Sequence, residues 1–273
     1  MSTTSPFALP EPWDLVADGY AAETSAVMLP FSLAAVALAQ PARDARVIDV
    51  AAGPGTLALE LAPNVESVTA LDFSEAMNQQ LRVEAEVRGL TNIHVLQADC
   101  QALPLPDAAF DAGFSMFGWL FFPDRPRGLA ELRRVLRPGG TLVVSSWAPV
   151  ARSPLMAAMF GALRAADPSF APPTYNPDSL ENPERLAQEL GEGGFEAVVV
   201  HPHTLSIAFQ SVDALWTRMV RSSAPLVSLR KRLGEQTWAA RSVLALAHLR
   251  RELGDGPTEL STSAWLGYGV RPA

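Results

Sequence analysis

Three aspartates, each in or directly after a short apolar run, are the side chains of this sequence best placed to do chemistry. Asp49 lies in "RVIDV", Asp72 ends "SVTALD" and Asp99 ends "NIHVLQAD". Runs of this length and composition predict buried strands. Because parallel strands bring their carboxyl ends to one edge of a sheet, we expect the three carboxylates to form a row along that edge. Such a row attracts a cation and accepts hydrogen bonds from hydroxyl or amino groups.

A turn with two glycines and a proline, "AAGPG", follows the first predicted strand and precedes the helical pattern "TLALELA". Gly53, Gly55 and Ala58 fit the G-x-G-x-x-A spacing of dinucleotide sites, so a nicotinamide-dependent dehydrogenase stays open as an alternative. Two features argue against a pyrophosphate. Pro54 has no N–H to donate, and Asp49 would set a negative charge beside two phosphates. The turn therefore favours a ligand with positive charge and no phosphate.

S-adenosylmethionine has that chemistry, since it carries an ammonium, a sulfonium, a carboxylate, a ribose diol and an adenine. We expect Asp49 and the carbonyls of the turn to attract the ammonium, and the first N–H groups of the next helix to bind the carboxylate. We expect Asp72 to accept both ribose hydroxyls, Asp99 to accept the adenine amino group, and the Cys100 amide to reach a ring nitrogen. Taken singly, Asp72 is equally explained as a helix cap and Asp99 as a loop acid.

The elements that must position these residues alternate between strand and helix patterns from Arg46 onward. Predicted strands cover 46–52, 67–72, 92–99, 109–117, 141–147, 195–209 and 261–270. Ser74 is the predicted N-cap of the helix between the second and third strands, and 127–140 is a predicted helix that ends at Pro138 and a glycine pair. Residues 148–182 are rich in proline, and "FAPPTYNP" within them predicts ordered loop, whereas "ERLAQELGEGG" and 211–253 predict helices. The alternation predicts a parallel, doubly wound α/β sheet.

Four stretches, "VIDVAAGPG", "VTALDFSEAM", "VLQADCQALPLPDAAFD" and "LRPGGTLVVSSW", resemble successive motifs of class I S-adenosylmethionine-dependent methyltransferases. The resemblance covers 46–147 and is greatest to the small-molecule branch that includes quinone-biosynthesis methyltransferases. It implies a Rossmann-like sheet of seven strands, mostly parallel with an antiparallel last strand, together with a helical lid. One position departs from the family pattern, because Ala51 replaces the first glycine of D-x-G-x-G-x-G. We expect its methyl to be a modest intrusion that cofactor binding survives.

The resemblance also extends the predicted site. It places Phe73 or Met77 against the adenine, and Trp13 and Tyr20 in a flap over the cofactor. The complete set of predicted cofactor-binding residues is Tyr20, Asp49, Ala51, Gly53, Gly55, Asp72, Phe73, Met77, Asp99, Cys100 and Ser115. The predicted segments are 1–44 as the helical flap, 45–147 as the cofactor-binding core, 148–180 as a lid insertion, 181–210 as a core helix and strand, 211–255 as a helical lid insertion, and 256–273 as the closing strand.

Aromatic residues beyond the strand ends or on the lid predict a pocket for a small apolar or aromatic methyl acceptor. The candidates are Phe117, Trp119, Trp147 and Trp216. The alternative is that they belong to the core, since central parallel strands are buried on both faces. Whether oxygen, nitrogen or carbon is methylated stays open.

A general base is required only for a weakly acidic acceptor, because displacement at a sulfonium methyl can be accelerated by positioning. His94, His201 and His203 lie within predicted strands and favour structural roles. His248, on a lid helix, is the one candidate base. No cluster of carboxylates and histidines in the sequence matches a metal site, so we predict none.

Composition limits the class of partner. The 273 residues carry a formal net charge of -8, with 48% hydrophobic and 18% charged residues, which predicts a folded protein without general affinity for nucleic acid or anionic membrane. A basic run on the lid favours a solvated face, with an anionic acceptor or RNA as alternatives. It comprises Arg218, Arg221, Arg230, Lys231, Arg232, Arg241, Arg250 and Arg251.

Weaker sequence signals predict the cellular location and leave two questions open, the oligomeric state and whether the protein is catalytic. The apolar stretch "AVMLPFSLAAVALA" is short for a membrane span and contains Pro30, and a lone Cys100 fits a reducing compartment, so we predict a cytoplasmic protein. A homodimer through the lid stays open. So does a catalytically silent binding or regulatory protein on the same fold, because of Ala51 and the missing base.

Overall fold

Seven strands form one sheet in the computed structural model, which describes residues 5–273. The strands are β1 (Arg46–Val50), β2 (Ser67–Asp72), β3 (Ile93–Gln97), β4 (Phe110–Ser115), β5 (Leu136–Trp147), β6 (Glu196–Phe209) and β7 (Thr258–Val270). Their order in the sheet is β3-β2-β1-β4-β5-β7-β6. Strands β1 to β5 pair in parallel, and β7 pairs antiparallel with both β5 and β6. The predicted α/β sheet with an antiparallel last strand is therefore confirmed.

Eleven α-helical segments among the described residues surround this sheet. They are α1 (Glu11–Asp14), α2 (Ala17–Gly19), α3 (Ser25–Ala39), α4 (Ala58–Leu61), α5 (Glu75–Val87), α6 (Arg125–Val135), α7 (Pro154–Ala166), α8 (Pro183–Glu192), α9 (Val212–Ser222), α10 (Ala224–Leu233) and α11 (Glu235–Leu253). Helices α3, α4 and α5 pack on one face of the sheet and α6 and α8 on the other. Helices α7, α9, α10 and α11 share a separate apolar core and form the lid. The predicted flap begins with residues 1–4, which lie outside the described residues.

The helices differ from the prediction at two places. Helix α6 ends at Val135, before Pro138, because buried Leu136 already pairs in an extended conformation with Phe110 of β4. The proline-rich segment 148–182 also contains α7, which begins at Pro154 and for which no helix was predicted. Proline at the first helical position costs little, since its missing N–H would have no partner there. The predicted N-cap is confirmed, because Ser74 Oγ accepts from the Met77 amide at 3.2 Å.

The apolar N-terminal helix is longer than the sequence pattern indicated. Ala17–Ala39 is 23 residues long and, by length and composition alone, could cross a membrane. The prediction that this stretch is too short was wrong, because the π-helical segment Tyr20–Thr24 joins α2 to α3 and Pro30 lies inside α3. Phe31 and Ala35 of this helix are buried against neighbouring elements.

Candidate functional site

A cavity of about 820 Å³ lies between the carboxyl edge of the sheet and the lid. Its volume is in the usual range of small-molecule sites. Asp49, Asp72 and Asp99 line the part beside the sheet. Apolar side chains from the N-terminal helix, the lid and the ends of β4, β5 and β6 line the rest, among them Val27, Met28, Phe117, Trp147, Leu155, Met156, Met159, Phe160, Phe209, Leu215 and Met219. One enclosure thus joins a polar, acidic end to an apolar end.

Asp72 ties the glycine turn to the start of α5. Its Oδ2 accepts from the Gly53 amide at 2.9 Å and its Oδ1 from the Ser74 amide at 2.9 Å. The side chain is buried but faces the cavity. Each carboxylate oxygen has a second lone pair, so this geometry leaves acceptor capacity for a pair of ligand hydroxyls.

Asp49 is the most deeply buried of the three acids. Its Oδ2 has no hydrogen-bond partner within residues 5–273. Burial, reinforced by the charge of Asp72, raises the pKa of Asp49 to about 7. Burial also raises the pKa of Asp72 to about 6, although amide donors oppose the shift. A cationic ligand group beside Asp49 would offset the cost of this buried charge, so the unpartnered oxygen fits an ammonium.

The raised pKa of Asp49 predicts that Asp49→Asn stabilises the ligand-free chain at alkaline pH. The unfolded value is near 3.8, so the folded chain holds a proton between about pH 4 and pH 7 that the unfolded chain has lost, and stability falls as the pH rises through that range. Removing the carboxylate removes this loss. We expect the gain in unfolding free energy to be about 2–3 kcal/mol larger at pH 8 than at pH 5 in denaturant titrations. Asp44→Asn, at an exposed position, is the control, and an equal gain at both pH values would contradict the assignment.

Three residues of the glycine turn adopt left-handed conformations. Gly53 has φ +57° and Gly55 has φ +86°, and Ala51 also has a positive φ of 57°. The Ala51 methyl packs against Gly118, where an added Cβ would lie 2.2 Å from it. Because Gly118 has no side chain, the loop after β4 leaves room for the methyl group of Ala51, the residue that replaces a family glycine. Sequence reasoning missed this pairing because the two residues are far apart in the chain.

Asp99 and Cys100 line the cavity from a loop. The prediction that Asp99 ends a strand was wrong, since β3 ends at Gln97. Asp99 is exposed and its Oδ1 accepts from the backbone and side-chain nitrogens of Gln101 at 2.8 and 3.2 Å. It thus has the loop-capping role that a single acid also allows. Cys100 is buried, which raises the pKa of its thiol.

The N-terminal segment covers the acidic end of the cavity. Trp13 and Tyr20 of this segment line the cavity, and Phe73 after β2 and Met77 on α5 line it as well. The segment is fixed at Asp14, whose Oδ1 accepts from Ser74 Oγ at 2.5 Å. Burial raises the pKa of Tyr20 to about 12, so its phenol is protonated near neutral pH.

The structure brings two of the four candidate aromatic residues to the cavity. Phe117 and Trp147 line the cavity and stack with ring centroids 4.2 Å apart. Trp119 does not line it; the side chain is fully buried in the sheet core and its Nε1 points to the Arg125 carbonyl. Trp216 packs inside the lid, where its Nε1 donates to Ser242 Oγ at 3.0 Å. The predictions for these two tryptophans were wrong, because each faces an apolar core.

Three further predicted residues lie outside the cavity lining. Ser115 is buried below it, and its Oγ has no partner in the described part of the chain. Gly55 packs under Leu81. His248 lies between α11 and α7, with its Nδ1 2.8 Å from Arg251 Nη2, so the structure does not bring this candidate base to the site.

Most basic side chains of the lid are paired with acids. Such ion pairs are Arg221 with Glu23, Arg230 with Glu235, Lys231 with Glu11, Arg232 with Asp167, Arg250 with Asp213 and Asp255, and Arg251 with Glu252. This pairing supports the solvated-face interpretation of the basic run. Arg218 differs, since it also lines the cavity.

Comparison with known proteins gives consistent relatives. A family model described as a methyltransferase domain matches residues 47–140. A demethylmenaquinone methyltransferase of Deinococcus radiodurans is 41% identical over 179 residues, which cover 59% of this chain and 71% of the relative. One of Thermus thermophilus is 48% identical over 118 residues, 42% of this chain and 53% of the relative. The match thus spans only about half the length of the Thermus protein.

Solved structures share the fold at low sequence identity. The YcgJ protein from Bacillus subtilis superposes with a TM-score of 0.57 at 18% identity, over 87% of this chain and 96% of that protein. The cyclase SpnF gives a TM-score of 0.60 at 20% identity, over 97% of this chain and 95% of that protein. Since one of these is named a cyclase, this likeness concerns the fold alone.

Proposed function

Because the chain belongs to the class I S-adenosylmethionine-dependent methyltransferases, we propose that it transfers a methyl group to a small apolar or aromatic molecule held under the lid. The observation that carries the proposal is the single cavity, which is acidic beside the sheet and apolar beside the lid. A charged donor and an acceptor with a largely apolar body each find a matching environment within one enclosure. S-adenosylmethionine is the cofactor of the family.

The residues at the acidic end fit this cofactor. The unpartnered Oδ2 of Asp49 suits the ammonium, the remaining lone pairs of Asp72 suit the ribose hydroxyls, and the apolar Phe73 and Met77 suit the adenine. When bound, S-adenosylmethionine supplies a methyl group on a positively charged sulfur. The chain's own contribution is to hold the donor and the acceptor in line.

The apolar end orients the acceptor and excludes water. The stacked rings of Phe117 and Trp147 offer a flat wall beside the sheet edge, and lid methionines such as Met156 and Met159 adapt to different shapes. Tyr20 keeps its proton near neutral pH and so is a hydrogen-bond donor rather than a base. The arrangement therefore suits an acceptor whose reacting atom is already nucleophilic, such as an electron-rich ring.

The relatives suggest which acceptor to test first. The Deinococcus and Thermus proteins are named for demethylmenaquinone, a quinone acceptor. We therefore expect the chain to methylate a reduced naphthoquinone or a related phenol. Incubation with labelled S-adenosylmethionine and a panel of menadiol, 2-naphthol and 2-naphthylamine, followed by mass spectrometry, should give a product carrying one added methyl group.

A matched control makes this experiment decisive. At limiting donor concentration Asp72→Asn should give about a hundredfold less product with the same panel, since the variant lacks the carboxylate proposed to hold the donor. If calorimetry shows that the wild-type chain binds the donor but every acceptor stays unmodified, the catalytic proposal fails. A binding or regulatory protein on this fold would then be the better description.

A further inference from the structure

Arg218 is the one cationic side chain that lines the cavity among the residues the structure describes. It projects from lid helix α9, and its Cζ lies 5.6 Å from the centroid of the Phe209 ring. About a third of its side chain, 36%, is exposed. A charged guanidinium is unusual at the apolar end of a cavity, and its position over an aromatic ring there requires an explanation.

Most N–H groups of the Arg218 side chain have no hydrogen-bond acceptor among the described residues. Its Nε lies 3.4 Å from Glu23 Oε2, a long contact, and its two Nη groups have no acceptor within residues 5–273. Glu23 makes its shorter bond to Arg221, from Nη1 to Oε1 at 2.6 Å. Two guanidinium groups thus share one carboxylate, and the cluster carries one uncompensated positive charge.

We infer that Arg218 binds a carboxylate of the methyl acceptor, so that among small apolar or aromatic acceptors those with a carboxylate are preferred; this rests on the proposed function for the identity of the ligand. The planar guanidinium presents parallel N–H donors that match the two oxygens of a carboxylate. The acid would replace the long contact to Glu23, while its apolar body lies among Phe209, Leu215 and Met219.

A carboxylate also occurs in the donor, and the fold favours the acceptor as its source. The donor contacts proposed above involve Asp49 on β1, Asp72 on β2 and the turn after β1. The Arg218 guanidinium lies over the ring of Phe209, and Phe209 ends β6 at the opposite edge of the sheet. Thr56 and Leu57, which follow the turn, line the cavity, and their N–H groups donate to no acceptor within residues 5–273, so they are available to the donor carboxylate.

The test compares two probes of the same size, 2-naphthoate and 2-naphthamide, by calorimetry with the full chain saturated with S-adenosylhomocysteine. We expect the wild-type chain to bind the naphthoate at least about tenfold more tightly, as a charge-assisted pair predicts. Arg218→Gln should reduce this ratio to about one, and Arg218→Lys should keep part of it. Glu23→Gln, which removes the competing carboxylate, should increase it.

Arg250→Gln is the matched control, since it removes the same charge from a lid residue that does not line the cavity, and it should leave the ratio unchanged. Equal binding of the two probes by the wild-type chain, or a ratio that survives in a folded Arg218→Gln, would overturn the inference. So would a tenfold loss of S-adenosylhomocysteine affinity in Arg218→Gln, because the guanidinium would then serve the donor. Probe binding needs no turnover, so failure of methyl transfer and failure of this inference give different results.

Discussion

Asp72→Asn is expected to weaken S-adenosylmethionine binding by at least about a hundredfold, the largest effect of any single substitution at the acidic end. The wild-type carboxylate accepts from Gly53 and Ser74 and keeps lone pairs for the ligand. In the asparagine variant one oxygen becomes an amide nitrogen, so a buried N–H of the turn or of α5 loses its acceptor and the ribose loses one partner. Both losses act together, since the turn itself forms the site.

Calorimetry with S-adenosylmethionine at pH 8 measures this effect. Asp44→Asn should bind like the wild-type chain, because Asp44 is exposed and precedes β1 at the far end of the strand. Asp99→Asn should lose less than about tenfold, because Asp99 is exposed and already caps its own loop. Wild-type affinity for Asp72→Asn, or a loss equal to that of Asp99→Asn, would remove Asp72 from the proposed donor site.

Donor affinity should also depend on pH in a direction set by the two buried acids. The raised pKa values, about 7 for Asp49 and about 6 for Asp72, mean that both carboxyls are largely protonated in the free chain at pH 5. A cationic ligand prefers the ionised forms, so affinity should rise between pH 5 and pH 8 and binding near pH 6.5 should release protons. Calorimetry in buffers of different ionisation enthalpy measures that release. Proton uptake instead would contradict the proposed contact between Asp49 and the ammonium.

The acidic end of the site follows from sequence pattern because it depends on local rules. A strand followed by a turn fixes where Asp49 and Asp72 must lie, whatever the rest of the chain does. The apolar end does not follow in this way. Trp119 and Trp216 have the composition of pocket residues, yet each turns into a core, because the packing of a distant segment decides which face of a loop or helix meets the cavity.

The family model covers the part of the chain that holds the three aspartates of the acidic end, and it does not cover the lid. The matched methyltransferase domain ends at residue 140, before the four lid helices begin. Arg218 and Phe209, which we expect to select the acceptor, therefore lie outside it. The residues proposed to choose the acceptor therefore have to be argued from this chain alone.

Gly118→Ala is expected to destabilise the chain by about 2–3 kcal/mol and to lower donor affinity with it. The backbone at Gly118, with φ -94° and ψ -48°, is one that any residue adopts, so the conformation itself costs nothing. The cost is steric, because the new methyl would lie 2.2 Å from the methyl of Ala51. Either β4's exit loop or the turn that holds the donor has to move to relieve the overlap.

Removing the opposing methyl should restore what Gly118→Ala loses. The double variant Ala51→Gly with Gly118→Ala places one methyl, rather than two, between the turn and the loop. Denaturant titration of the four forms should therefore give a coupling energy of about 1–3 kcal/mol in favour of the double variant. Ala51→Gly alone should be nearly neutral, since relief of the left-handed conformation at φ 57° is offset by the greater entropy of an unfolded glycine. If the double variant is no more stable than Gly118→Ala, the alanine is not accommodated by the glycine opposite it, and the departure at Ala51 needs another explanation.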